Sequence, residues 1–86
     1  MDRKRTVTVY TRDDCHLCED AIETVRRVAD AVSSDVTLDL RDVDSDPQRR
    51  TEYGDRVPYV LVDGRPRFKY RVDEEELRAL LVRKSN

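Results

Sequence analysis

The chain has 86 residues, 37% apolar and 42% charged, with 17 basic against 19 acidic side chains and a net charge of −2. That length makes one domain over residues 1–86 with one small core, burying roughly 60–65% of its extended surface. The near-neutral balance gives no electrostatic case for nucleic acid or an anionic membrane, and the apolar residues are too regularly spaced for a disordered chain.

No segment approaches ~18 successive apolar residues, so no transmembrane helix is expected. The basic start Met1-Asp2-Arg3-Lys4-Arg5 runs into alternating Thr6-Val7-Thr8-Val9-Tyr10. A signal peptide would carry an apolar block of about 7–15 residues there. The expected location is therefore the cytoplasm, where a close pair of cysteines is more often catalytic or metal-binding than a structural staple.

In chain order, residues 5–11 alternate β-branched and aromatic side chains with polar ones and predict a strand. Arg12-Asp13-Asp14 is a polar loop whose Asp oxygens offer an N-cap. From His16 to about Ser33, Leu17, Ala21, Ile22, Val25, Val28, Ala29 and Val32 recur in steps of three and four, the stripe of an amphipathic helix. Ser33-Ser34-Asp35 breaks it. Val36, Leu38 and Leu40 alternate in a second strand. Asp44-Ser45-Asp46-Pro47 reads as a cap followed by proline at the first helical position, opening a short helix to about Tyr53 with Gly54 as its C-cap.

Tyr59-Val60-Leu61-Val62 is an apolar run and predicts a central strand. Asp63-Gly64 is a hairpin turn, and Pro66 to Tyr70 forms the return strand. Asp73 with Glu76 forms a capping box for a last helix striped by Leu77, Leu80 and Leu81. The order βαβαββα predicts an α/β domain: a small mixed sheet with a parallel first pair, an antiparallel hairpin and helices on both faces.

Cys15 and Cys18 sit where the first helix starts. Residues three apart share one side of a helix turn, so a disulfide between them is feasible. It closes a ring too small to constrain the unfolded chain, which makes it a poor staple and a good reversible switch. Free N–H groups and the positive end of the helix dipole favour a thiolate at Cys15. Arg12 adds to this and Asp13 and Asp14 oppose it. Cys18, one turn inside, reads as the buried resolving thiol. His16 is either a solvated residue at a helix start or, when protonated, a tuner of the Cys15 thiolate.

A closed tetrahedral metal site wants four ligands, and two cysteines with one histidine do not supply them. The expectation is a monomer without metal. Two alternatives stay open: a non-enzymatic binding module, and a metal or cluster carrier formed by two Cys-x-x-Cys motifs across a dimer. Val57-Pro58 precedes the third strand, where proline stops unwanted pairing. Only ~5–6% of X-Pro bonds in folded proteins are cis, so the residues by themselves predict trans.

Tyr10-Thr11-Arg12, Cys15-His16-Leu17-Cys18-Glu19, Val43-Asp44, Val57-Pro58 and Asp63-Gly64, in this order over nearly the whole chain, resemble the glutaredoxin-like branch of the thioredoxin-fold superfamily. The form is similar to short bacterial and archaeal members with Cys-His-Leu-Cys. The resemblance implies a thioredoxin-like, glutaredoxin-type fold, with Cys15 as nucleophile and Cys18 resolving mixed disulfides. It places Arg12 on a glutathione carboxylate and implies a cis Val57–Pro58 bond, with the Val57 backbone open to a bound peptide. It puts Asp73 near the glutathione site, and His16 and Leu17 line the approach to the cysteines.

Two departures stand out. His-Leu replaces the usual Pro-Tyr between the cysteines. Lys69-Tyr70-Arg71-Val72 stands where glutaredoxins carry a Gly-Gly pair. The resulting expectation is a thiol–disulfide oxidoreductase acting on a protein or small-molecule disulfide. It needs no cofactor beyond a reductant, either a thiol such as glutathione or a protein reductase.

Overall fold

Strand β1, Arg5–Thr11, sends its two faces to different partners. Val7 and Val9 are fully buried against Val25 and Val28 of α1 (His16–Ala31) and Leu77 and Leu81 of α3 (Glu74–Val82). Tyr10 points the other way and stacks on Tyr53 of α2 (Pro47–Tyr53), ring centroids 4.6 Å apart. This follows from the two-residue period of a strand. Helices α1 and α3 therefore cover one face of the sheet and α2 the other. The computed structural model describes residues 5–32 and 36–82. The expected helix break at Ser33-Ser34-Asp35 and the basic N-terminal residues 1–4 lie outside the described residues.

The sheet order is β2-β1-β3-β4, with β2 spanning Val36–Asp42, β3 Tyr59–Val62 and β4 Arg65–Lys69. β1 pairs with β2 in parallel, Val7 opposite Leu38. It pairs with β3 antiparallel, Val9 opposite Val60 and Tyr10 opposite Tyr59. The hairpin turns at Asp63 (φ 52°) and Gly64 (φ 83°), the two left-handed residues of a tight turn with right-twisting strands. Asp63 also accepts from Arg5 Nη1 at 2.8 Å and from the Thr6 amide at 2.9 Å, fastening the hairpin to β1. Across the helical layer, Arg27 Nη2 donates to Glu74 Oε1 at 2.9 Å and joins α1 to α3. That hydrogen bond holds the Glu74 carboxyl below its ordinary range.

Two local details differ from the sequence reading, and two agree with it and gain a physical reason. The return strand ends at Lys69, because Tyr70 turns to φ 74° and leaves the sheet. A 3₁₀ turn, Val43–Ser45, separates β2 from α2 and buries Val43. Asp46 caps α2 by accepting the Gln48 amide at 3.0 Å, with Pro47 at the first position as expected. Gly54 ends α2, but at φ −54°, in right-handed conformation. Glycine is required there for space instead: a Cβ would fall on the Arg50 carbonyl oxygen.

Helix α2 has no fully buried residue. Its anchor is aromatic. Tyr53 stacks on Tyr59 at 5.0 Å as well as on Tyr10. Arg49 lies over the Tyr10 ring, 5.2 Å from its centroid, and donates to the Tyr10 hydroxyl. Burial in this cluster, with Glu52 adding to it, pushes the Tyr53 phenol above its usual range. Stacked aromatic pairs are worth roughly 0.5–1.5 kcal/mol each beyond area burial. Tyr53→Ala is therefore expected to cost ~1–3 kcal/mol in urea unfolding and Tyr53→Phe far less. Equal midpoints for Tyr53→Ala and the parent would contradict the anchor.

Candidate active site

Between β1 and α1, Asp14 adopts φ 55°. Aspartate tolerates that left-handed turn. It leaves Cys15 as the extended residue before the helix, φ −114° and ψ 100°. The sequence reading assigned the cap to the aspartates, and the structure gives it to Cys15. Its Sγ accepts the Cys18 amide at 3.1 Å, and its carbonyl accepts the Glu19 amide at 3.1 Å. The Cys15 and Cys18 sulfurs lie at disulfide distance, with Cα atoms 5.1 Å apart. Cys18 is 0% exposed and Cys15 half-buried. His16, Asp13 and Asp14 are exposed, and Leu17 is 52% exposed.

Arg12, partly exposed, is engaged by the elements next to this loop. Its Nε donates to Asp44 Oδ2 at 3.3 Å, Nη2 to Asp44 Oδ1 at 3.2 Å and Nη1 to the Gly54 carbonyl at 3.2 Å. Asp44 also receives Arg50 Nε at 3.2 Å. The arginine thus ties the cysteine loop to the 3₁₀ turn and to the end of α2. Part-exposed pairs of this kind are worth about 1 kcal/mol or less each. Their effect is to hold the loop's course. The sequence reading singled out Arg12 without Asp44 and Gly54, since nothing in the pattern ties residues so far apart.

The Val57–Pro58 bond is cis, and Pro58 is buried. Because Tyr59 pairs with Tyr10, residues 57 and 58 lie at the same end of the sheet as the loop leading to Cys15. Tyr70 donates its amide to the Pro58 carbonyl at 2.8 Å, which draws segment 70–72 to this end too. There it faces α1 across a cleft of about 170 Å³ lined by Leu17, Asp20, Ala21, Thr24, Tyr70, Arg71 and Val72. Tyr70 is 44% exposed, and Val72 packs against the core. Asp73 lies just beyond, and its Oδ1 accepts the Glu76 amide at 3.1 Å as the cap of α3. The fold thus gathers Cys15, Leu17, Cys18, Val57 and Pro58 at one end. Asp73 and Arg12 are engaged in structural hydrogen bonds. Among the described residues, no group of His, Cys, Asp and Glu is arranged to hold a metal, and no helix is long and apolar enough to cross a membrane.

Residues 6–82 match the glutaredoxin-like domain family, DUF836. The chain belongs to that family. A relative, protein Rv0508 of Mycobacterium tuberculosis, is 36% identical over 84 residues, covering 90% of this chain and 82% of the relative. The X-ray structure of target protein XcR50 from X. campestris superposes with a TM-score of 0.66 at 36% identity, over 87% of this chain and 93% of that one. A mutant thioredoxin from Halobacterium salinarum, 24% identical, shares the fold with a TM-score of 0.63 over 90% of this chain and 71% of that one.

In this glutaredoxin-like domain the two sulfurs have unequal surroundings: one at the helix start and half-open, one buried inside the turn. The reduced protein should therefore alkylate first at Cys15 near neutral pH, read by mass mapping after limited iodoacetamide. Faster labelling of Cys18 would contradict the assignment of the helix start.

Proposed function

We propose that this domain is a thiol–disulfide oxidoreductase working through Cys15 and Cys18. The observation that carries the reading is the cysteine cap: the Cys15 sulfur already receives a helix-end amide, and Cys18 is buried within reach of that sulfur alone. The Cys15 thiolate attacks one sulfur of a substrate disulfide. A mixed disulfide forms, and the other substrate sulfur leaves as a thiolate. Cys18, deprotonated in turn, attacks the Cys15 sulfur. The second substrate thiolate departs, and the Cys15–Cys18 bond holds the two oxidising equivalents. A thiol or a protein reductase then restores the dithiol, as a reducing compartment such as the cytoplasm allows.

The Val57 backbone, beside the cis proline, is suited to take a substrate strand by main-chain hydrogen bonds. Leu17 and His16 stand at the rim of the same end and would face the substrate. Mild oxidation should give a monomer lighter by two hydrogens, with both thiols blocked. Cys15→Ser should abolish reduction of a small disulfide, whereas Cys18→Ser should accumulate mixed disulfides, visible by intact mass. A Cys15→Ser variant that keeps the parent rate would sink the mechanism.

Glutathione is the weaker choice of reductant for this chain. The charges the resemblance assigns to it, Arg12 and Asp73, are taken up by Asp44 and by the α3 cap. Segment 70–72 keeps the left-handed turn at Tyr70 but adds side chains to the cleft. Overlap of that kind costs about 1–3 kcal/mol, which exceeds an exposed charge contact of about 1 kcal/mol or less. Val72 supports the core, so the informative change is Tyr70→Gly with Arg71→Gly. That variant should raise glutathione-dependent turnover severalfold over the parent. Parent turnover equal to that of a dithiol glutaredoxin assayed beside it would refute the steric argument.

A further inference from the structure

The cations of this surface are distributed unevenly. Most arginines among the described residues have acidic partners: Arg5 with Asp63, Arg12 and Arg50 with Asp44, Arg27 and Arg78 with Glu74, Arg41 with Asp39, Arg49 with Asp46. Arg26 on α1 and Arg56, Arg65, Arg67, Lys69 and Arg71 have no ion pair among the described residues. Five of these six fall within residues 56–71, in a chain whose net charge is −2. Three of them, Arg56, Arg67 and Lys69, line one groove of about 260 Å³ with Tyr59, Pro66 and Phe68, and no acidic side chain lines it. Lys69 stands directly opposite Tyr59 across the β3–β4 ladder.

Charged residues and proline on β4 have an ordinary use. They keep an edge strand from pairing with other chains. That accounts for Arg65, Pro66, Arg67 and Lys69. It does not account for Arg56, which lies in the loop before β3 and converges on the groove from outside the strand. Asp55, its neighbour in the chain, makes no ion pair with it among the described residues. The groove also adjoins Val57–Pro58, since Arg56 and Tyr59 flank that pair. The helix start that carries the thiols is itself acidic, with Asp13, Asp14, Glu19 and Asp20 all exposed.

We propose that the groove of Arg56, Tyr59, Arg67 and Lys69 docks an acidic stretch on one flank of the disulfide in a protein substrate. This rests on the exchange reaction above and names the substrate class of that same site. Charge complementarity sets the sign, and the adjoining Val57 backbone favours an extended peptide over an isolated anion. The acidic residues must lie on the flank that reaches the groove, because the acids around the helix start repel an acidic stretch laid over them.

The test uses the whole protein and fluorescently labelled ten-residue peptides with serine in place of the reactive cysteine. Glutamates sit on one flank, on the other, or are replaced by glutamine. Anisotropy should give about tenfold tighter binding for one acidic peptide over the glutamine peptide, with the advantage falling as salt rises. R56Q/R67Q/K69Q should erase it, and R67E/K69E should reverse it toward lysine peptides. Equal binding of acidic and glutamine peptides, or a preference that survives both variants, overturns the proposal. So does tighter binding of a single-stranded oligonucleotide of equal charge.

A second arm separates the two claims. Cys18→Ser is mixed with cysteine-containing versions of the peptides, activated as disulfides, and with neutral bis(2-hydroxyethyl) disulfide. Exchange with the neutral disulfide but no acidic preference defeats the groove alone. No exchange with any disulfide defeats the redox reading, while the anisotropy result still decides the groove.

Discussion

A helix must satisfy its first amides, and α1 uses a sulfur for one of them. That choice constrains the rest of the site. For Cys15 to cap, the chain must leave β1, reverse through a left-handed Asp14 and arrive extended. Arg12 holds the outer side of that course through Asp44 and Gly54, so the loop is fastened to α2 and to the turn after β2. Once Cys15 caps, helix geometry puts Cys18 beneath it and inside the core. The electrostatic case for a thiolate then comes from backbone that is already in place. Asp13 and Asp14, which would oppose it, are exposed and screened by solvent.

The sheet supplies the frame for this arrangement through the alternation of two central strands. Valines of β1 and β3 seat α1 and α3 on one face, and Tyr10 and Tyr59 receive Tyr53 on the other. β1 ends and β3 begins at the cysteine end of the sheet, and the pairing of Tyr10 with Tyr59 sets Val57–Pro58 there. The hydrogen bond from Tyr70 to Pro58 brings the segment before α3 to the same place. The working end is thus assembled by strand register and a few backbone bonds.

Elements with strong periodicity could be read directly from the residues. β1 and α1 are such cases, because burial on one face demands a repeat and the repeat is visible; β3 was legible as a short apolar run. The cysteine pair was legible for a similar reason: helix spacing alone brings the sulfurs together. What could not be read depends on contacts distant in sequence or on local conformation. The Arg12–Asp44 pair joins residues from separate elements. The anchor of α2 is a tyrosine stack, which leaves no apolar stripe. Gly54 caps α2 as its position suggests, but the need for glycine comes from a close approach to the Arg50 carbonyl, which no pattern shows. Tyr70 carries a glycine-like φ without being glycine, so its turn was read as strand. The cis state of Val57–Pro58 came from family resemblance, since the residues by themselves predict trans.

The central claim is that the helix start makes Cys15 the reactive thiolate. A pH titration of thiolate absorbance in the fully reduced protein tests it most directly, with Cys15→Ser and Cys18→Ser to assign the sulfurs. The account predicts one thiol titrating clearly below the ~8.5 of free cysteine, lost in Cys15→Ser and retained in Cys18→Ser. A Cys15 that titrates at or above that value would contradict it.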